Sequence, residues 1–381
     1  MNYTTMTRLF RQMPVDRAGE MPLQDLQLRI SRHPFTSVYP EIPEVPCSES
    51  GPVIPGMPED ARIDENLHFE YTMISPSGST RFKRVILLLH GLNEKSWNKY
   101  LPWAVRLATA LNRPVILFPI SFHMNRSPES WSNPRLMTEL MKKNRTNLKD
   151  NDSSSFANIA LSLRLTADPM RFYKSGSQSH DDLRRLITGI EQGTHPFLDS
   201  NTQTDIFAYS IGAFLSQILF LNHGEDLLGN SRLFMFCGGA PFSKMNGVSK
   251  HIMNEEAFAA LNSFYLREAD TKPRTEGTLG YCLNSSPAGR AFRAMLTTTT
   301  ADNWRKNRFD RMAHRIYALG LSKDKVINPS GLEGFLHKSM FEVMDFPFAY
   351  SHENPFPVIG NGEETDLQFN RVFDKAASFL C

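Results

Sequence analysis

The chain has 381 residues, a formal net charge of +2, and 41% hydrophobic residues with 27 phenylalanines. That much apolar material buries a substantial core and rules out disorder as the main state. Lys and Arg (42) nearly cancel Asp and Glu (40) with no basic block, so a nucleic-acid binder is not expected. The four cysteines, Cys47, Cys237, Cys282 and Cys381, are far apart, with no CxxC or Cys/His cluster. Neither a metal nor an organic cofactor is expected. Cys237, in an apolar run, reads as a small core residue. The N-terminus, Met1 to Arg8, has no apolar signal region. The longest greasy stretch, Ile211 to Leu221, is too short to cross a bilayer. The expectation is a soluble, cytoplasmic protein without stable membrane insertion.

Residues 1–65 are punctuated by prolines, several of them between Pro34 and Pro58. They read as an N-terminal arm lying over a domain that spans 66–381. Leu67 to Ile74 is strand-like, and Pro76-Ser77-Gly78 is a turn signal. Val85 to Leu89 is a continuous apolar run ending at His90-Gly91, as expected of a strand covered on both faces. Leu101, Ala104, Val105, Ala108 and Leu111 recur at helical spacing, with Pro102 in the first turn and Asn112 with Pro114 closing the helix. Val115 to Phe118 is a second buried strand, so these three elements form a βαβ unit.

Residues 123–180 are polar and break the rhythm, as an insertion over the sheet would. Asp181 to Gln192 is an amphipathic helix with Leu183, Leu186, Ile187 and Ile190 on one face. Thr204 to Tyr209 is a strand, and Ile211 to Asn222 is a helix apolar on nearly all sides, ended by Gly224. Leu233 to Cys237 is another strand. Residues 243–314 form a second insertion, and the two insertions together would make a cap. Ile316 to Leu319 is a strand and Asp366 to Leu380 a terminal helix. Alternating helices and buried strands predict an α/β architecture with a mostly parallel, doubly wound sheet.

Ala208-Tyr209-Ser210-Ile211-Gly212 lies where a buried strand turns into a buried helix. A tight turn there forces the middle residue into a strained backbone. The residues two before and two after must then be small, and Ala208 and Gly212 are. The turn lifts the Ser210 hydroxyl clear of the sheet and aims the helix N-terminus at the reacting oxygen. Serine needs a base, and the base needs an orienting group. His352, in a loop rich in Pro and aromatics beyond the last strand, is placed to reach the sheet edge. His90 reads as structural, and His123, His314 and His337 have no supporting context. The acid is best sought after the strand Ile316–Leu319, where Asp324 lies in a turn. Glu333 and Asp345 are the alternatives.

The order Ser210, Asp324, His352 is the triad order of one large fold superfamily. With Leu88-Leu89-His90-Gly91-Leu92-Asn93 and the Ser210 turn, the chain resembles the α/β-hydrolase fold superfamily over about residues 67–381, outside the insertions. The resemblance implies Ser210 as nucleophile, His352 as base and Asp324 as orienting acid. It also implies an oxyanion hole made by the backbone N–H groups of Ile211 and Leu92, supported by His90 and Gly91. Asn93 is placed to shape that loop. Ala208 replaces the usual first glycine of the turn, and an HGGG loop is absent. The function expected is a serine hydrolase acting on a small-molecule carboxylic ester, thioester or amide through an acyl-enzyme. A non-catalytic ligand-binding or scaffold protein and an acyltransferase are the alternatives. Trp131, Phe172, Tyr173, Phe264, Tyr265 and Trp304 either line a substrate pocket or form the insertions' own cores.

Overall fold

The computed structural model describes residues 1–12, 20–39, 54, 57–79, 81–144, 152–268, 279–298, 302–358, 360 and 362–381. Cys47 and most of the proline-rich stretch lie outside these residues. Helix α1 (Tyr3–Gln12) is followed by the hairpin of β1 (Glu20–Leu23) and β2 (Leu28–Thr36). A single turn, α2 (Asp64–Leu67), leads into β3 (His68–Pro76). β4 (Phe82–Leu89), α3 (Leu101–Leu111) and β5 (Val115–Leu117) form the expected βαβ unit, with Ile86, Leu87 and Leu88 paired in parallel to Val115, Ile116 and Leu117. Asn112 closes α3 in the left-handed conformation, φ 49°.

The first insertion carries α4 (Pro134–Lys143) and α5 (Ile159–Ala167), and α6 (Met170–Glu191) leads back to β6 (Leu198–Tyr209). The helix expected at 181–192 is thus the second half of a longer one. Helix α7 (Ile211–His223) and β7 (Leu233–Phe236) follow. The second insertion contains α8 (Glu255–Asn262), α9 (Leu279–Ser285), α10 (Pro287–Ala294) and α11 (Asp302–Arg311). The chain then adds β8 (Ile316–Leu321), β9 (Phe341–Met344) and α12 (Glu363–Leu380).

Among the described residues nine strands form one sheet in the order β1-β2-β3-β5-β4-β6-β7-β8-β9, antiparallel from β1 to β5 and parallel from there to β9. The central strands are buried on both faces, which is why they read as unbroken apolar runs. Along β6, Ile206 and Ala208 face the core under α6, α7 and the second insertion, while Phe207 and Tyr209 face the core under α1, α3 and α12. Trp103 of α3 anchors the second core, packing edge-on against Phe207, Tyr209, Phe236 and Phe356. This strand order, with its sharp β6–α7 bend at the carboxyl end of the parallel strands, makes the architecture an α/β-hydrolase fold. Among the described residues no helix is long and apolar enough to cross a membrane.

One expectation changes. The described part of residues 1–65 is not an arm: α1 packs on α3 and α12, and β1 and β2 extend the sheet. Pro34 disguised β2. It sits beyond Leu28–Ser31, the stretch that β1 covers, so β2 is an edge strand there and tolerates a proline.

Candidate active site

Ser210 sits at the β6–α7 bend with φ 57° and ψ −121°, a conformation that costs a non-glycine residue about 1–3 kcal/mol. The surrounding chain enforces it. Gly212 lies against the end of β4: a Cβ there would sit 2.8 Å from the carbonyl oxygens of both Leu89 and His90. The Gly212 N–H donates to the His90 carbonyl at 3.2 Å. Ala208, two residues before, is fully buried against neighbouring strands.

His352 comes from the loop after β9 and stands over this bend. Its Nε2 is 2.7 Å from Ser210 Oγ, and its Nδ1 is 2.7 Å from Asp324 Oδ2. Asp324 follows β8. Its other oxygen, Oδ1, accepts the backbone N–H groups of Val326 and Ile327, each at 2.9 Å. With Oδ1 so occupied, Oδ2 receives the imidazole Nδ1–H. That leaves Nε2 as a lone pair facing the serine hydroxyl proton. All three residues are buried. The alternative acids lie elsewhere: Asp345 pairs with Lys323 and Tyr350, and Glu333 is exposed.

His90 is a support for the loop. Its Nδ1 donates to the Gly91 carbonyl at 2.8 Å and its Nε2 accepts the Ile120 N–H at 2.9 Å. Burial pushes it down to about 3, so it stays neutral. The Gly91 N–H is occupied by Tyr100 Oη at 2.9 Å. Next in line is Leu92, which with Ile211 and Ser210 lines a small cavity of about 40 Å³. A second lobe of about 50 Å³ shares Leu92, Ile211 and Phe172 with the first and runs along α7 to His123. Among the described residues no Asp, Glu, Lys or Arg lines either lobe. Of the aromatics singled out in the sequence, Phe172 is the one that lines both. Tyr173 and Tyr265 pack in the core, and Trp131 packs under Arg164 in a separate cluster.

Further hydrogen bonds hold this arrangement. Tyr209 Oη donates to the His352 carbonyl, and Lys99 Nζ donates to the Glu353 carbonyl at 3.2 Å. From the second insertion, Ser249 Oγ donates to the Glu353 carboxylate. Asn93, at φ 61°, uses its Nδ2 hydrogens on the carbonyls of Ala157 (2.8 Å) and His251 (2.7 Å), one in each insertion. Among the described residues no group of three or more His, Cys, Asp or Glu side chains is placed to hold a metal ion.

Comparison with solved structures finds similar chains among esterases. Carboxyl esterase 2 of the mycorrhizal fungus Tuber melanosporum is 10% identical, with a TM-score of 0.44 over 90% of this chain and 92% of its own. The peroxisomal alpha-beta-hydrolase Lpx1 of Saccharomyces cerevisiae is 13% identical, with a TM-score of 0.41 over 93% and 88%. The esterase LipW of Mycobacterium marinum is 11% identical, with a TM-score of 0.42 over 99% and 88%. Likenesses this distant leave the chemistry to be read from the site itself. No curated protein matches the chain in sequence. One family matches residues 1–381 throughout, and the chain therefore belongs to DUF6051, a family described as of unknown function.

Proposed function

We propose that the protein is a serine hydrolase that cleaves small, uncharged carboxylic esters through an acyl-enzyme. The observation that carries this reading is the hydrogen-bonded series Ser210–His352–Asp324 beside a small apolar cavity. Ser210 Oγ attacks the ester carbonyl as His352 Nε2 takes its proton. Asp324 holds the imidazole in the tautomer that can accept, and stabilises the imidazolium that forms. The backbone N–H groups of Ile211 and Leu92 would receive the developing oxyanion, a contribution of about 3–4 kcal/mol per donor in other enzymes. The imidazolium then protonates the leaving alcohol, and water, deprotonated by the same nitrogen, releases the acid.

The lining constrains the substrate. With no charged side chain from the described residues in either lobe, a carboxylate or ammonium on the substrate would be left unpaired in an apolar site. Each lobe, at about 40 and 50 Å³, is far smaller than the ~150 Å³ cavity that takes up benzene. Short groups on both sides of the ester are the fit. Incubation with a fluorophosphonate tests the reading: one adduct per chain, on Ser210, is expected. Ser210→Ala should stay folded and lose both labelling and ester cleavage. Ester cleavage retained in that variant, or no adduct on folded wild-type protein, would overturn it.

A further inference from the structure

Part of the wall of the cavity beside Ser210 comes from the start of the second insertion. Met245, Gly247, Ile252 and Met253 line the same cavity as Ser210 and Ile211, and the proposed reaction gives none of the four a part. The backbone that carries them is held from several directions. The Asn246 N–H donates to the Val326 carbonyl at 2.7 Å, and the Ser249 N–H to the Met253 carbonyl at 3.0 Å. Asn158 Nδ2 donates to the Ser249 carbonyl at 2.9 Å, and Asn93 Nδ2 to the His251 carbonyl at 2.7 Å. The Asn254 N–H donates to Ser162 Oγ at 3.0 Å. With the main chain pinned in this way, side chains set how much room the cavity has.

Much of the remaining lining is committed. Phe172 and Phe242 pack against each other and both against Tyr265. Val326 and Ile327 give their N–H groups to Asp324. Leu92 and Ile211 carry the proposed oxyanion donors. Met253 is different in kind. It is buried, and it is an unbranched chain with a soft thioether, able to change rotamer where a branched or aromatic side chain cannot. Its far end lies against Gly247: a Cβ at Gly247 would sit 3.2 Å from Met253 Cε and 3.3 Å from Met253 Sδ. Gly247 is not in the left-handed region, so what its missing side chain provides is space for that thioether.

We infer that Met253 is the specificity-determining residue that limits the length of the ester chain seated in the Ser210 cavity, and so holds the protein to short esters. This rests on the serine-hydrolase reading above and assigns its size limit to one side chain. An apolar pocket discriminates a single methylene by about 10–200-fold, so a wall moved by the length of a methionine moves the cut-off.

The test uses the full chain with two pairs of substrates, methyl butanoate with methyl hexanoate and butyl acetate with hexyl acetate, so that the chain grows on each side of the ester in turn. Acid release is followed by pH-stat and Ser210 by fluorophosphonate labelling. Wild-type protein is expected to favour the shorter ester of at least one pair by about tenfold or more in kcat/KM. In Met253→Ala, which removes Cγ, Sδ and Cε, that preference should fall to about threefold or less. Gly247→Ala adds a methyl group to the same wall against the Met253 thioether and should sharpen the preference. These ratios compare two substrates on one protein, so a smaller folded fraction does not move them. Labelled wild-type protein that favours neither shorter ester, or a preference unchanged in labelled Met253→Ala, overturns the inference while leaving the hydrolase reading standing. If Met253→Ala does not label, Gly247→Ala decides, and an unchanged preference there overturns the inference. Absence of labelling in wild-type protein overturns both.

Discussion

At Asp324 the two carboxylate oxygens have different duties, and this fixes what a conservative change would do. Oδ1 is committed to two backbone donors, Val326 and Ile327. An asparagine placed here would turn its own oxygen to those amides and its NH₂ to His352. Facing a donor, the Nδ1 of the ring must accept, and Nε2 then carries the proton and cannot take one from Ser210. Asp324→Asn should therefore fold normally and lose about 10⁴ in kcat, as the loss of the right tautomer does elsewhere. A near-wild-type rate would show that the carboxylate does not orient the base. Gly212 gives a contrasting case, because its role is spatial. Gly212→Ala places a methyl group 2.8 Å from two carbonyl oxygens in rigid backbone, where nothing flexible can yield. A loss of about 1–3 kcal/mol in denaturant unfolding is expected, with a drop in Ser210 labelling as the bend opens. An unchanged unfolding midpoint would mean that β4 and α7 move apart freely.

At the scale of elements, the site is a meeting of loops from distant parts of the chain, and specific hydrogen bonds set how they meet. Asn93 is the clearest case: one side-chain amide donates to the carbonyls of Ala157 and His251, so both insertions are tied to the loop that carries Leu92. Its φ of 61° would be acceptable to glycine. Asn93→Gly should thus leave the backbone path intact while freeing both insertions from the loop. We expect a loss of about 1–3 kcal/mol in stability from the two carbonyls left unpaired. The fall in kcat should exceed any rise in KM, because displacing the Leu92 N–H, the proposed oxyanion donor, would weaken transition-state binding first. A change in KM alone would assign Asn93 to substrate admission. The His352 loop is tied in the same manner, by Tyr209 and Lys99 from the sheet side and by Ser249 from the second insertion.

Across the whole molecule, buried histidines govern the response to acid. Burial lowers His90 to about 3 and His180 and His195 to about 4, from an ordinary value of 6.5. Between pH 6.5 and about 4 the unfolded chain takes up protons that the folded chain refuses. Stability therefore falls as pH falls through that window, and is fully present above it. Thermal unfolding followed by circular dichroism should show Tm constant near pH 7 to 8 and declining below 6.5. His195→Gln should make the decline shallower, and a Tm that rises on acidification would contradict the assignment.

Much of this molecule can be read from the chain alone. Unbroken apolar runs at 85–89, 115–118, 206–209 and 233–237 mark strands covered on both faces, since only such strands can dispense with alternation. Small residues around Ser210 mark a bend too sharp for larger ones. Other features leave no local trace. β2 is masked by Pro34, because its place beside β3 depends on a sheet edge that forms only in three dimensions. β9 is short and half-exposed, with no apolar run to announce it. The sequence alone determined which residues must be buried and where the backbone must bend, because burial and sterics act on neighbours along the chain. The folded structure alone decided which groups meet at Ser210, because the His352–Ser210 contact joins residues 142 positions apart.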